Sequence, residues 1–184
     1  MTKVWESLRI ALILMLICGL IAGVVALVNQ VTFEKIEQNL EAERRNAIVS
    51  IFGSEHISYE ALSDVPETAE TVYTVTAGGT ALGYCVNVNA GGFGGDINLM
   101  VGVGADGKII GVSIVSLSET PGVGTKVNTV DYLSAYIGKG SGLKLGEDID
   151  GITGATVSSK AVLAGVNAAM DTLVQMNLIG GEAA

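Results

Sequence analysis

The sequence predicts an α+β protein: one N-terminal transmembrane helix, then an antiparallel sheet flanked by helices. Three observations predict it. An uncharged apolar run fills the N-terminus. Strand patterns paired across glycine turns occupy the middle, and apolar residues at helical spacing close the chain. Composition agrees, because 49% of the 184 residues are hydrophobic, a high share for a soluble chain. A net charge of −9 and only 5% aromatic residues exclude the basic, stacking surfaces that nucleic acids need. The two cysteines, Cys18 and Cys85, fall in the apolar run and in a predicted strand. They make no disulfide scaffold, CxxC pair or zinc spacing. Cys85 reads as a small buried hydrophobe.

The elements follow in order. Ile10 to Gln30 carries no charge. At helical rise this run spans roughly 30 Å, about one bilayer core. It is too long for a signal-peptide core, and Ile17 before Cys18 does not suit a lipoprotein signal. Lys3 and Arg9 precede the span, whereas Glu34, Glu37, Glu41 and Glu43 follow it. The positive-inside rule then places the N-terminus in the cytoplasm and the rest outside, as a single-pass protein of a bacterial inner membrane. Phe33 to Phe52 continues as a helix with Phe33, Ile36, Leu40, Ala47, Ile48 and Ile51 at helical spacing, and Gly53 ends it. Ser54 to Glu70 is polar and acidic and reads as a connector. The expected boundaries are therefore 1–30 for the anchor, 31–70 for helix and connector, and 71–184 for the folded domain.

Within that domain, Val72–Thr76 and Leu82–Asn89 read as one hairpin. Ile97–Val103 and Lys108–Ser116 read as a second, across an Asp106-Gly107 turn. Between them lies the glycine-rich stretch Ala90-Gly91-Gly92-Phe93-Gly94-Gly95-Asp96, which is neither GxGxxG in a βαβ setting nor a Walker loop. Ser118-Glu119-Thr120-Pro121-Gly122-Val123-Gly124 leaves the sheet through a tight Pro-Gly turn. Thr125 to Ile137 reads as a helix with Val127, Val130 and Leu133 inward, together with Tyr136 or Ile137. A glycine-rich loop from Gly138 to Gly146 comes next.

The chemistry concentrates in Asp150-Gly151-Ile152-Thr153-Gly154-Ala155-Thr156-Val157-Ser158-Ser159. Gly151 and Gly154 let another group approach the backbone. Thr153, Thr156, Ser158 and Ser159 crowd good N-cap hydroxyls where a helix begins, and Val162, Val166, Met170 and Leu173 carry that helix on to about Met176. A helix start has free N–H groups and the positive end of the dipole, so it suits a phosphate. On local grammar alone this is also an ordinary capped helix after a turn. The chain contains no acid–base pair, nucleophile triad or metal cluster, so no catalytic residue and no metal ligand is assigned. Its one histidine, His56, falls in the connector.

The string Asp-x-x-Thr-Gly-Ala-Thr closely resembles the flavinylation motif of the FMN-binding domain family. That family includes the G subunit of the Rnf electron-transport complex and the C subunit of the sodium-pumping NADH:quinone oxidoreductase. Gly94-Gly95, the two following strands and Glu119-Thr120-Pro121-Gly122-x-Gly124 resemble the family in order and spacing. Val123 stands where leucine is usual, and Ser118 replaces a bulkier polar residue.

The resemblance implies that 71–184 is an FMN-binding domain and that Thr156 carries FMN through a phosphoester made by a separate flavin transferase. An unaided threonine hydroxyl is too weak an acid to react alone, which fits an external enzyme. On this reading Thr153, Gly154, Ala155 and the N–H groups near Ser158 and Ser159 cradle the phosphate. Glu119, Thr120 and the backbone at Gly122 line the flavin ring, where Glu119 would disfavour an anionic reduced flavin. Asp150 serves recognition by the transferase. The implied function is that of a membrane-anchored electron carrier among the other subunits of an Rnf-type, ion-translocating ferredoxin:NAD oxidoreductase, with no catalytic site beyond its flavin. The soluble part is short for the quinone-reductase version. Two alternatives remain at this point: a free-standing extracytoplasmic flavoprotein, or a non-redox anchored binding module.

Overall fold

The computed structural model describes residues 2–54 and 56–180. The chain forms two compact units, Met1–Ala42 and Glu43–Ala184, and the division falls inside one helix, α1 (Thr2–Phe52). In the first unit, Arg9–Gln30 has a mean hydropathy of 3.0 and none of it is buried, so by length and composition it can cross a membrane.

The second unit is built on a five-stranded antiparallel sheet in the order β1-β2-β3-β4-β5. The strands are β1 (Ile57–Ala61), β2 (Thr71–Ala77), β3 (Thr80–Gly91), β4 (Asp96–Gly104) and β5 (Ile109–Leu117). Each strand pairs with its sequence neighbour, which keeps the loop-closure entropy lost on folding small. Both expected hairpins form.

Three expectations change. Strand β1 lies in the segment expected as a connector. Four of its five residues are exposed, so it has no buried face and no apolar alternation to betray it. The helix expected over Thr125–Ile137 is instead a 3-10 turn, Gly124–Val127, followed by α2 (Val130–Ser134). The break lies at Asn128, which leaves helical geometry, and at Thr129, which is extended. It resets the facing of the residues beyond it: Val127, Leu133 and Tyr136 are buried as expected, but Val130 is 84% exposed. Finally, α3 (Thr156–Gln175) begins within the hydroxyl cluster, capped by Ala155 without a side-chain bond.

Strand β4 is nearly buried throughout, and β3 is buried from Cys85 to Val88, because both sheet faces are covered there. Ile97, Leu99, Val101 and Val103 of β4 join Val86 and Val88 of β3 in the core beneath α3, meeting Val162, Val166, Met170 and Leu173. Met100 points the other way, with Cys85 and Val75, into a second core closed by Ala47, Ile48, Ile51 and Phe52 from the end of α1. Burial raises the Cys85 pKa, so its thiol stays protonated and behaves as a hydrophobe. Gly102 is required here, since a Cβ would collide with the Ile51 side chain. The same end of α1 is tied down by Glu70, whose carboxylate accepts from Asn87 Nδ2 at 2.8 Å and pairs with Arg44 at 3.3 Å.

The loop leading into α3 is also held. Leu143 N–H donates to Asn167 Oδ1 at 3.0 Å, and Asn167 Nδ2 donates to the Leu143 carbonyl at 2.8 Å. Side-chain truncation should report this architecture. Leu99→Ala should destabilise the chain by about 3 kcal/mol, and Val130→Ser by no more than about 0.5 kcal/mol. Urea unfolding of the detergent-solubilised chain checks both values; equal losses would mean that Val130 is buried after all.

Candidate functional site

Three segments meet at the sheet end where β3, β4 and β5 leave their loops: the glycine-rich β3–β4 turn, the loop after β5, and the start of α3. Their junction is the Glu119 carboxylate, which is 8% exposed. Its Oε1 accepts from Phe93 N–H and from the Ser158 hydroxyl, both at 2.8 Å. Its Oε2 accepts from Gly94 N–H at 2.9 Å and from Thr120 N–H at 3.3 Å. The glycines make room for it: a Cβ on Gly92 or on Gly124 would overlap the carboxylate. The glycine-rich stretch is thus part of the close lining of one buried charge.

Burial alone would raise the Glu119 pKa. The four donors, Phe93, Ser158, Gly94 and Thr120, overcome that effect and hold it below the ordinary carboxylate value. The residue is therefore an anion at neutral pH, with every oxygen satisfied by protein.

Next to this clamp opens a pocket of about 270 Å³, lined by Phe93, Glu119, Val123, Gly124, Gly154, Ala155, Thr156, Val157 and Ser158. Thr156 is exposed and is the first residue of α3. The first hydrogen bond at this end is Ser159 N–H to the Ala155 carbonyl, 2.9 Å. Among the described residues none accepts from the N–H of Thr156, Val157 or Ser158. Helix geometry leaves these donors free and directs them out of the helix start. The pocket thus combines an exposed threonine, free N–H donors and apolar walls.

The expected site residues divide accordingly. Glu119, Gly154, Ala155, Thr156 and Ser158 come together in the lining. Thr120 and Gly122 lie just outside it, in the turn that shapes it. The Thr120 carbonyl accepts from Val123, Gly124 and Thr125 N–H at 3.2, 3.0 and 3.4 Å, and Gly122 sits at φ +75°. Thr153 and Asp150 are exposed and outside the lining. The Ser158 and Ser159 side chains are buried and engaged inward: Ser158 donates to Glu119, and Ser159 Oγ accepts Ile152 N–H at 3.1 Å. Phe93, Val123, Val157 and Gly124 line the pocket without having been named as site residues. Phe93 had one legible clue, a lone bulky side chain among glycines.

A wider groove of about 440 Å³ runs along β5 and α2, from Ile110 to Ile137, but no ionisable side chain lines it. Among the described residues no cluster of three or more His, Cys, Asp or Glu can hold a metal ion.

The clamp predicts an acid-sensitive contribution to stability. Because the folded pKa is depressed, the contribution is complete above the unfolded carboxyl value of about 4.3. It is lost as pH falls from there through the lower folded value. Glu119→Gln leaves at least one loop N–H without an acceptor and should cost on the order of 2 kcal/mol at pH 7. That difference should shrink as the wild type is acidified below pH ~4. Urea unfolding of both proteins across pH 3 to 7 checks the slope; a cost independent of pH would mean that the carboxylate charge is not what binds the loops.

Comparison with known proteins agrees with this geometry. Residues 92–171 match the FMN-binding domain family, a span that contains every residue lining the pocket, and residues 1–51 match the RnfG N-terminal region. The chain is 32% identical to the G subunit of the Na(+)-translocating ferredoxin:NAD(+) oxidoreductase complex of Acetobacterium woodii, over 92% of each chain. It is 29% identical to the G subunit of the ion-translocating oxidoreductase complex of Shewanella oneidensis, covering 86% of this chain and 85% of that one. Its fold matches the crystal structure of the C subunit of the Na(+)-translocating NADH-quinone reductase from Parabacteroides distasonis. That match has a TM-score of 0.63 at 16% identity and covers 82% of this chain and 98% of that one. With its apolar segment Arg9–Gln30, the protein is membrane-anchored and carries an FMN-binding domain. The chain belongs to the family of G subunits of ion-translocating, Rnf-type oxidoreductase complexes.

Proposed function

We propose that the protein is the flavin-carrying electron relay of an Rnf-type membrane complex, with FMN joined to Thr156 through a phosphoester. The observation that carries this reading is the setting of Thr156. Thr156 is exposed, lines an open pocket, and is the first residue of a helix whose leading N–H groups are free. A phosphate on that oxygen lies at the positive end of the α3 dipole, within reach of the Thr156, Val157 and Ser158 N–H groups. Gly154 and Ala155 leave space beside it. Bound FMN supplies one- and two-electron redox chemistry, and the protein supplies position and electrostatics.

The remaining residues act through shape. Glu119 locks the β3–β4 turn to the start of α3, so the pocket is preformed. Its charge is already met by four donors, which makes it a positioning residue and weakens any direct role in tuning the flavin. Thr120 and Gly122 form the turn behind it. Asp150 and Thr153, exposed ahead of the helix, present the loop to a flavin transferase. The curated relatives are named as subunits of ferredoxin:NAD(+) or ion-translocating oxidoreductase complexes. On this reading the chain passes electrons between membrane subunits of such a complex. Lys3 and Arg9 keep the N-terminus in the cytoplasm and the flavin domain outside.

Co-expression with a flavin transferase tests the attachment. Wild-type protein should stay fluorescent in a denaturing gel and show one FMN adduct by intact mass. Thr156→Val should show neither, and Thr156→Ser should restore part of the adduct. Bare wild-type polypeptide would overturn the proposal. Orientation is checked with a membrane-impermeant thiol reagent on whole cells. Lys126→Cys should label directly and Thr2→Cys only after permeabilisation; the reverse pattern would invert the topology.

A further inference from the structure

We infer that Phe93 is the seat of the flavin ring, stacking on one of its faces while Val123 and Val157 bound the ring opposite. This rests on FMN attachment at Thr156. The large apolar side chains exposed within Glu43–Ala184 are Tyr59, Phe93, Val123, Val130, Ile137 and Val157. Three of them, Phe93 at 74%, Val123 at 45% and Val157 at 49% exposure, line the pocket that contains Thr156. They come from three different segments, so their meeting is a product of the fold and not of local sequence. Exposed apolar groups gathered around a polar centre mark a binding surface.

The arrangement selects its occupant. The polar part of the pocket, with the Thr156 hydroxyl and the free N–H groups, suits a phosphate. The apolar part suits a flat, largely apolar body joined to it. Phe93 is also held where a stacking platform must be held. Its N–H is fixed by Glu119 at 2.8 Å, and the turn is closed by Gly92 N–H to the Gly95 carbonyl at 3.0 Å. The glycines on either side leave its ring unobstructed. Aromatic faces pair favourably in offset stacks. A short tether holds its cargo at an effective concentration on the order of millimolar, so a seat of only millimolar intrinsic affinity is already about half filled. Thr120 and Gly122 shape the turn that carries Val123.

Flavin emission reads the contact directly, because an electron-rich aromatic stacked on the ring quenches it. In the full chain, co-expressed with a flavin transferase, Phe93→Trp should lower native flavin emission by about fivefold or more. Denaturation should return it to the wild-type value per flavin. Val130→Trp, at a still more exposed position outside the pocket, should leave emission unchanged. Phe93→Ala should make native flavin emission about threefold more sensitive to iodide by baring one face. Both positions are exposed, so neither change threatens folding. Flavinylated Phe93→Trp and Phe93→Ala that match the wild type in emission and iodide sensitivity would overturn the seat and leave attachment at Thr156 standing. Wild-type protein without covalent flavin would overturn both.

Discussion

A single carboxylate organises the functional end of this protein. Glu119 receives hydrogen bonds from the β3–β4 turn, from its own loop and from the first turn of α3. Charge-assisted bonds are about twice as strong as neutral ones, and here four converge on one group. They hold two loops and the start of α3 in a fixed relation. The glycines follow from this, since only a backbone without Cβ can close around the carboxylate from Gly92 and Gly124. Ser158 looked like a helix cap in the sequence. Its hydroxyl instead reaches across 39 residues of chain to Glu119.

The sheet is what makes such a clamp possible. Burial on both faces fixes the register of β3 and β4, because a one-residue slip would exchange the α3 core for the α1 core. That exchange would put Asn98 and Gly102 beneath α3 and leave Leu99 facing the end of α1. With the register fixed, the β3–β4 turn and the end of β5 emerge at a set height. α3 packs over the same strands through Val162, Val166 and Met170. Its N-terminus, and therefore Thr156, is placed by the core rather than by its own loop.

Much of this was legible from residues alone. The apolar run, the two hairpins and α3 carry strong periodicity, and the TGAT string marks the helix start that the structure places in the pocket. The features that escaped reading lacked a buried face or depended on distant partners. Strand β1 shows no alternation because four of its residues face outward. The break at Asn128 and Thr129 leaves no proline or glycine to announce it. Glu119, named from the sequence, lines the pocket, but its role as a clamp was not legible, since its partners lie 25 and 39 residues away. Phe93, Val123 and Val157 belong to three separate segments, and no local pattern unites them.

The size of the pocket bears on why a covalent bond would be used at all. Sites that retain small molecules by contact alone are clefts of about 300–1,000 Å³ that bury most of the ligand. The pocket at Thr156 holds about 270 Å³ and opens to solvent, with an exposed Phe93 at its edge. Such a site could seat a flavin ring and its phosphate, but not enclose the molecule. Deepening it would improve retention and would also bury the ring away from any redox partner. An ester at Thr156, as proposed, would separate the two demands: the bond would hold the cofactor and the shallow seat would only orient it. The ring edge would then stay at the surface, where electrons can enter and leave. The clamp at Glu119 fits the same logic, because a tethered group is only as well placed as the residue that carries it.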